Sequence, residues 1–480
     1  MVGRVLGLMA MLMSLTHLVP ILSALLYQDG TLRAFLLSMA FNFGCGLLVW
    51  LPTRQYNGEM QPRDGFLLVT LAWAGGALFS TIPLLELVPQ LSFTDAYFET
   101  ISGLTTTGAT VLGQVDRLAP SINLWRHLLS WLGGMGIIVL AVAILPLLGV
   151  GGMQLYKAET PGPMKDTKLT PRITETAKNL WMIYFAVTAV CALCLWLAGM
   201  SALDALCHAF TTLSLGGFST HDASIGFYDS LGIELVLCVF MLFAAMNFGS
   251  HFLAWRAKSI SQYGRDPEAK AMLGLVAVSC LGVAAYLWRD GTYGSFWTAL
   301  RHATFNVVSM ATTTGYSSVD FGRWPAFTTM WMLLLCCLSS SSGSTGGGIK
   351  MFRALTLLQQ SLREMKFLLH PSAVNPMKIG RAVVPNKVIF SVLGFIFVYF
   401  LSTVGITFLL MGTGLEFVSA FTAVVACLNN TGPGLNEVGP AANYASLTDL
   451  QTWVLSFTML LGRLELFTVL ILFTPYFWRK

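Results

Sequence analysis

The chain has 480 residues, of which 55% are hydrophobic and only 11% charged, whereas a soluble domain carries roughly 25% charged residues. That deficit excludes an ordinary soluble globule and points to an all-α membrane protein. The formal net charge of +5 follows from where lysine and arginine flank the apolar runs, and it makes no case for nucleic acid.

Two apolar runs come first, Val5–Tyr27 and Ala34–Leu51. The first exceeds the roughly 15-residue limit of a signal-peptide core, and no clear A-x-A site follows it, so it is expected to be a retained helix. Residues 1–64 then form an N-terminal helix pair. Residues 65–150 hold the run Phe66–Leu87, a short segment Thr94–Leu104, the stretch Thr106-Thr107-Gly108-Ala109, and the run Leu124–Val150. Residues 176–260 repeat the order with Leu180–Met200, Ala202–Leu213, Leu215-Gly216-Gly217-Phe218 and Leu231–Trp255. Residues 271–366 do so with Met272–Trp288, Phe296–Met310, Thr313-Thr314-Gly315-Tyr316 and Phe327–Leu338. Residues 386–480 give Val388–Met411, Glu416–Leu428, Asn430-Thr431-Gly432-Pro433 and Trp453–Phe473.

The unit recurring at a spacing of roughly 100 residues is span, short helix, glycine loop, span. The short helices cannot cross a bilayer and are read as re-entrant. An alanine precedes each aligned glycine by twelve residues (Ala96, Ala205, Ala303, Ala420), where a small side chain permits close helix packing. Asp95 and Asp204 fall near two of the helix starts and are expected to cap them. The C-terminal ends, with partial negative charge, would then point at a common centre and favour a cation. Glycine tolerates positive φ, and four such loops around one axis would form rings of carbonyls that replace an ion's water. The loops are expected to supply Thr106, Thr107, Gly108, Leu215, Gly216, Gly217, Thr313, Thr314, Gly315, Asn430, Thr431 and Gly432.

Basic residues mark one side of the membrane. Lys157, Lys165, Lys168 and Arg172 share one loop; Arg256, Lys258, Arg265 and Lys270 the next; Lys350, Arg353, Arg363, Lys366, Lys378, Arg381 and Lys387 the third; and Arg479-Lys480 ends the chain. The positive-inside rule makes this side cytoplasmic, with both termini on it. The opposite loops carry Asp116, Asp222, Asp229, Asp320, Glu437 and Asp449.

Two features interrupt the spans. Ser339–Gly348 places ten small or polar residues where a helix should continue, which should break it. It is not a phosphate-binding loop, because Ile349 separates Gly348 from Lys350, no Ser or Thr follows the lysine, and no soluble strand precedes it. Arg463 falls inside the last span among leucines, a costly position unless it faces a partner or the pore. Glu465 lies on another helix face and is a poor intrahelical partner. Gly343, Gly346, Gly347, Gly348 and Arg463 are therefore gate candidates, the alternatives being a close-packed helix kink for the loop and an interhelical salt bridge for Arg463; as a gate, Arg463 is expected to hydrogen-bond the Gly343–Gly348 loop.

Other chemistry is weakly represented. Cys191 and Cys194 form a CxxC inside a span with no partner pair, and the seven histidines do not cluster. HExxH and GxSxG patterns are absent, so an enzyme is not expected. A secondary transporter coupling its cation to protons or sodium is the alternative, although Glu86, Glu234, Glu416 and Glu465 suggest no acidic relay.

The four helix–loop–helix repeats, with Thr105-Thr106-Thr107-Gly108-Ala109-Thr110, Gly216-Gly217-Phe218-Ser219-Thr220, Thr312-Thr313-Thr314-Gly315 and Asn429-Asn430-Thr431-Gly432-Pro433-Gly434, resemble the Trk/Ktr/HKT superfamily. The two extra N-terminal helices, Leu132-Gly133-Gly134-Met135-Gly136 and Leu461-Gly462-Arg463-Leu464-Glu465, are similar to its bacterial TrkH branch. The resemblance implies potassium uptake across a bacterial inner membrane through a pseudo-fourfold pore. It also implies a homodimer regulated by a cytosolic, nucleotide-binding TrkA-like ring, with potassium as the transported ion and no organic cofactor on this chain. Its filter glycines match Gly108, Gly217, Gly315 and Gly432, and glycine rather than serine at 108 favours potassium over sodium. The intramembrane Ser339–Gly348 loop beneath the filter is likewise implied.

Overall fold

The computed structural model describes residues 1–56, 61–139, 173–338, 340–372, 375–380 and 382–479, and these are mostly helical. The expected end of the run Leu124–Val150, the basic loop holding Lys157, Lys165, Lys168 and Arg172, and Ser339, Arg381 and Lys480 lie outside the described residues.

The first apolar run is two helices, α1 (Val2–Leu15) and α2 (Leu18–Tyr27). Ser14 and Thr16 donate to carbonyls three residues back, at 2.6 and 2.7 Å. Such side-chain bonds compete with the helical ladder. His17 accompanies the break and reaches Ser38 Oγ at 3.0 Å on α3 (Leu32–Thr53). Helices α1 and α3 cross at Gly7 and Gly46. A Cβ on either glycine would stand 2.8 Å from the other's carbonyl oxygen, so only glycine allows this approach.

The four repeats follow. The first comprises α4 (Pro62–Ser80), α5 (Ile82–Leu87), the short α6 (Phe93–Leu104) and α7 (Pro120–Val139). The second comprises α8 (Ile173–Leu197), the short α9 (Ala202–Ser214), α10 (Leu231–Ala244) and α11 (Phe248–Ala257). The third has α12 (Pro267–Asp290), the short α13 (Phe296–Ala311), α14 (Ala326–Leu338) and α15 (Met351–Leu369). A two-residue hairpin, β1 (Lys378–Ile379) with β2 (Ala382–Val383), precedes the fourth. That repeat holds α16 (Asn386–Gly412), the short α17 (Phe417–Leu428), α18 (Asp449–Arg463) and α19 (Phe467–Leu470).

Among the described residues six helices are long and apolar enough to cross a membrane, or eight if two bent pairs each make one span. The bent pairs correct the sequence reading. Leu231–Trp255 is not one helix, because α10 and α11 meet at 94°. Nor is Trp453–Phe473, whose halves meet at 111°. Arg463 therefore ends α18 instead of lying mid-helix. Glu465 and Leu466 beyond it both take positive φ, 57° and 56°, a conformation that costs energy in non-glycine residues.

The caps of the short helices are also corrected. Ser92 and Ser201 cap α6 and α9, each accepting from the backbone N–H of Asp95 or Asp204 at 3.1 Å. The two aspartates instead occupy the first turn, where their charge suits the helix dipole. Ala96, Ala205, Ala303 and Ala420 are all buried. The long helices close onto the short ones through glycines: a Cβ on Gly133 would strike the Leu104 carbonyl, and one on Gly462 the Leu428 carbonyl.

The α1–α3 crossing gives an internally controlled prediction. Gly46→Ala should lower the melting temperature of the detergent-purified protein, by an overpacking penalty of about 1–3 kcal/mol. Gly44→Ala, on the same helix with nothing within 4 Å, should leave it unchanged or raise it.

Candidate functional site

Each short helix runs into a loop of the same backbone shape. Two residues before the aligned glycine a non-glycine residue takes positive φ: Thr106 (55°), Leu215 (57°), Thr313 (61°) and Asn430 (53°). The glycine itself follows at 76° (Gly108), 67° (Gly217), 85° (Gly315) and 95° (Gly432). Four recurrences of a strained conformation at one register mark a constraint imposed by the assembly.

That constraint is visible in what surrounds each glycine. A Cβ on Gly108 would strike the carbonyl of Gly216; on Gly217, that of Thr314; on Gly315, that of Thr431; and on Gly432, that of Thr107. The first loop touches the second, the second the third, the third the fourth, and the fourth the first, which closes a ring. All four glycines line one cavity of about 420 Å³, together with Arg126, His221, Asp222 and Glu437.

In the first and third loops the hydroxyls beside the glycine bond to one another. Thr105 and Thr107 share a hydroxyl–hydroxyl bond at 2.8 Å, and Thr312 and Thr314 another at 2.7 Å. Asn430 donates to Thr107 Oγ1 at 3.0 Å and to the Met459 carbonyl at 3.0 Å. Tyr444 donates to the Gly432 carbonyl at 2.7 Å, and Ser309 to the Tyr316 carbonyl at 2.7 Å. The backbone at the ring can offer neutral oxygen ligands to a cation.

The irregular segment 340–350 touches several repeats. The Gly347 N–H donates to Thr313 Oγ1 at 3.0 Å, and Gly347 sits so close to the Asn429 carbonyl that no Cβ would fit. Thr345 Oγ1 donates to the Leu213 carbonyl at 3.0 Å. The α10–α11 break meets the same segment: Ser341 N–H donates to the Ala245 carbonyl at 3.0 Å, and Phe248 N–H to the Gly343 carbonyl at 3.1 Å. Gly343 and Gly348 take φ of 75° and 81°. Lys350 folds back onto the Gly346 carbonyl.

Arg463 ties this segment to the first repeat. One guanidinium nitrogen donates to the Thr345 carbonyl at 2.8 Å and another to the Gly133 carbonyl at 2.9 Å. The side chain is buried. Glu465 pairs with Arg353 at 2.6 Å. Two other glutamates also have structural partners, since Glu234 pairs with Arg301 at 2.7 Å and Glu416 caps α17.

Three polar features escaped the sequence reading. One is the α10–α11 break. A second is a buried ion pair, Glu99 with Arg126 at 2.7 Å. The third is a titratable cluster by the cavity, where His221 lies 2.5 Å from Asp116 and 3.7 Å from Asp204 and stacks on Phe227 at 3.6 Å. Asp116 Oδ2 also accepts from Asp222 N–H, and Asp222 Oδ1 from Val115 N–H, both at 3.1 Å. Burial opposes the imidazolium of His221, but the carboxylates of Asp204 and Asp116 outweigh it and hold its pKa above the usual value. Burial, with the charge of Asp116, lifts Asp222 as well. Burial works against the charge of Asp116, yet its hydrogen bonds from His221 and Asp222 hold it below the usual carboxylate range.

Comparison with known proteins places this geometry. The family model TrkH, described as a cation transport protein, matches residues 31–480. A Halomonas elongata protein named "Trk system potassium uptake protein TrkH" is 49% identical, over 100% of this chain and 99% of that one. A protein of the same name from Escherichia coli K12 is 46% identical over the same shares. The crystal structure of the potassium transporter TrkH from Vibrio parahaemolyticus superposes with a TM-score of 0.92 at 44% identity, covering 100% of this chain and 99% of that one.

The His221 cluster sets a pH dependence. A folded-state pKa above the unfolded one gives stability that is complete below the unfolded value and is lost as pH rises through the folded value. The raised Asp222 acts in the same direction, and the lowered Asp116 matters only in acid. The melting temperature should therefore fall as pH rises past the ordinary imidazole value of about 6.5 and through the higher folded-state value, and His221→Asn should flatten that fall.

Proposed function

This chain belongs to the TrkH family of cation transport proteins, and we propose that it takes up potassium through a pore walled by its four glycine loops. The family is one of transporters, not enzymes, and the chain is a multi-pass membrane protein. The observation that carries the reading is the closed ring at Gly108, Gly217, Gly315 and Gly432 beside one cavity.

Potassium gives up water only for oxygens that replace it. The backbone of Thr106–Gly108, Leu215–Gly217, Thr313–Gly315 and Asn430–Gly432 supplies them without a fixed charge. The C-terminal ends of α6, α9, α13 and α17 add a partial negative charge of about half a unit each. Neutral ligands bind the ion loosely enough for it to leave again. The four repeats stand in pseudo-fourfold order around the pore axis.

Below the filter, the segment with Gly343, Gly346, Gly347 and Gly348 blocks the path, and Arg463 latches it. A buried cation there repels potassium, while its bonds to the Thr345 and Gly133 carbonyls hold the segment closed. Opening requires Arg463 to release Thr345.

The Asp116–His221–Asp222 cavity faces outward. The basic residues Arg256, Lys258, Arg265, Lys270, Arg363, Lys366, Lys378 and Lys387 face the cytoplasm of a bacterial cell, with both termini on that side of the inner membrane. The protein works as a homodimer, and a separate TrkA-like nucleotide-binding ring docks on the exposed basic surface that holds Lys366, Lys378 and Lys387.

Two variants test the reading in proteoliposomes. Gly108→Ser should raise sodium permeability relative to potassium roughly tenfold, equivalent to about 1.4 kcal/mol, and an unchanged ratio would remove Gly108 from the filter. Arg463→Ala should increase potassium leak without the regulatory ring, and unaltered leak and conductance would end its role as a latch.

A further inference from the structure

We infer that the buried Glu99–Arg126 pair is a positioning strut that sets the selectivity of the first and second loops by fixing the chain just beyond Gly108 and Gly217; this rests on the reading of the four loops as a filter.

The argument starts from a register that the four repeats share. The ninth residue before each aligned glycine is Glu99, His208, Asn306 and Ala423. In three repeats this residue reaches past the glycine to the outgoing limb of its own loop. Glu99 accepts from Thr110 Oγ1 at 3.0 and 3.1 Å and from Val111 N–H at 3.1 Å. His208 Nε2 meets Ser219 Oγ at 2.9 Å. Asn306 donates to Ser318 Oγ at 3.0 Å and accepts from Ser318 N–H at 3.3 Å. The fourth repeat has alanine there, and the neighbouring Thr422 accepts from Leu435 N–H at 2.9 Å instead. Each loop is thus held on both sides of its glycine, by the short helix before it and by a polar strut after it.

Only the first strut is ionic. Arg126, from α7, donates through Nε to Glu99 at 2.8 Å, through a terminal nitrogen to Asn123 at 3.2 Å, and through the other to Thr110 Oγ1 at 3.3 Å. Its guanidinium also lies 4.4 Å from the centre of the Phe218 ring, directly after Gly217. Both side chains are almost wholly buried, at 2% and 0% exposure. A hydrogen bond with an ionised partner is stronger than a neutral one, so the first strut differs from those of the second and third loops in charge and not in length. Cation–π attraction at a desolvated site adds to its hold. The pair therefore grips Thr110 and Phe218, which flank the place where Gly108 abuts the Gly216 carbonyl. Its geometry sets how far that carbonyl stands from the axis.

The test is the sodium-to-potassium permeability ratio of the full protein in planar bilayers, from bi-ionic reversal potentials. Glu99→Gln keeps the shape and removes the charge. It should raise the ratio roughly tenfold, a change of about 1.4 kcal/mol, and Glu99→Asp should recover part of the selectivity. Phe218→Leu, which leaves the carboxylate bonds intact, should raise the ratio by less. If Glu99→Gln does not yield folded protein because Arg126 is left unpaired, Glu99→Gln combined with Arg126→Gln decides by the same ratio. A folded variant with the wild-type ratio, alongside a Gly108→Ser variant whose ratio has shifted, overturns the strut and leaves the filter standing. If neither variant shifts the ratio, the filter reading falls with it.

Discussion

The structure depends on one steric constraint: at each of four positions the place a side chain would take is filled by the carbonyl of another loop. A side chain at Gly108, Gly217, Gly315 or Gly432 would have to push the neighbouring carbonyl out of place. The positive φ at each adds strain to any substitution. Much of the surrounding fold serves that ring. The short helices start from serine or glutamate caps, end at the ring, and are held there by Gly133 and Gly462, which let the long helices touch their last carbonyls. Thr105, Thr107, Thr312 and Thr314 bond in pairs beside the loops, and Asn430 donates to Thr107.

A second layer follows from the same rule about unsatisfied backbone. Irregular chain in the apolar interior of a membrane needs protein partners, and here the breaks supply them to one another. The interruption between α10 and α11 exchanges backbone bonds with the segment 340–350, and the end of α18 reaches that segment through Arg463. Arg353, at the start of α15, reaches the break after α18 through Glu465. Movement of α15 would therefore act on the end of α18, where Arg463 bonds the Thr345 carbonyl.

The four short helices were legible in the sequence because they rest on local signals. Short apolar stretches, too brief to cross, each end a few residues before a glycine, and the observed helices Phe93–Leu104, Ala202–Ser214, Phe296–Ala311 and Phe417–Leu428 fall within a residue of the expected ones. The Ser339–Gly348 interruption was legible for the same reason. What escaped depends on distant partners. Ala244-Ala245-Met246-Asn247 contains neither glycine nor proline, and the chain breaks there because Gly343 and Ser341 offer bonds that an intact helix could not accept. Arg463 was recognisable as an anomaly, but its place at a helix end is set by the turn through Glu465 and Leu466. Glu99 and Arg126 lie 27 residues apart, and neither carries a local sign that it will meet the other. Asp95 and Asp204 misled because aspartate suits both the cap and the first turn, and the serine three residues earlier holds the cap.

The most direct test of the account is where a potassium surrogate sits. Crystals of the protein grown with thallium in place of potassium should give an anomalous peak on the axis enclosed by the carbonyls of Thr107, Gly216, Thr314 and Thr431. Thallium bound only elsewhere, with no peak inside that ring, would contradict the claim that the four loops form one cation site.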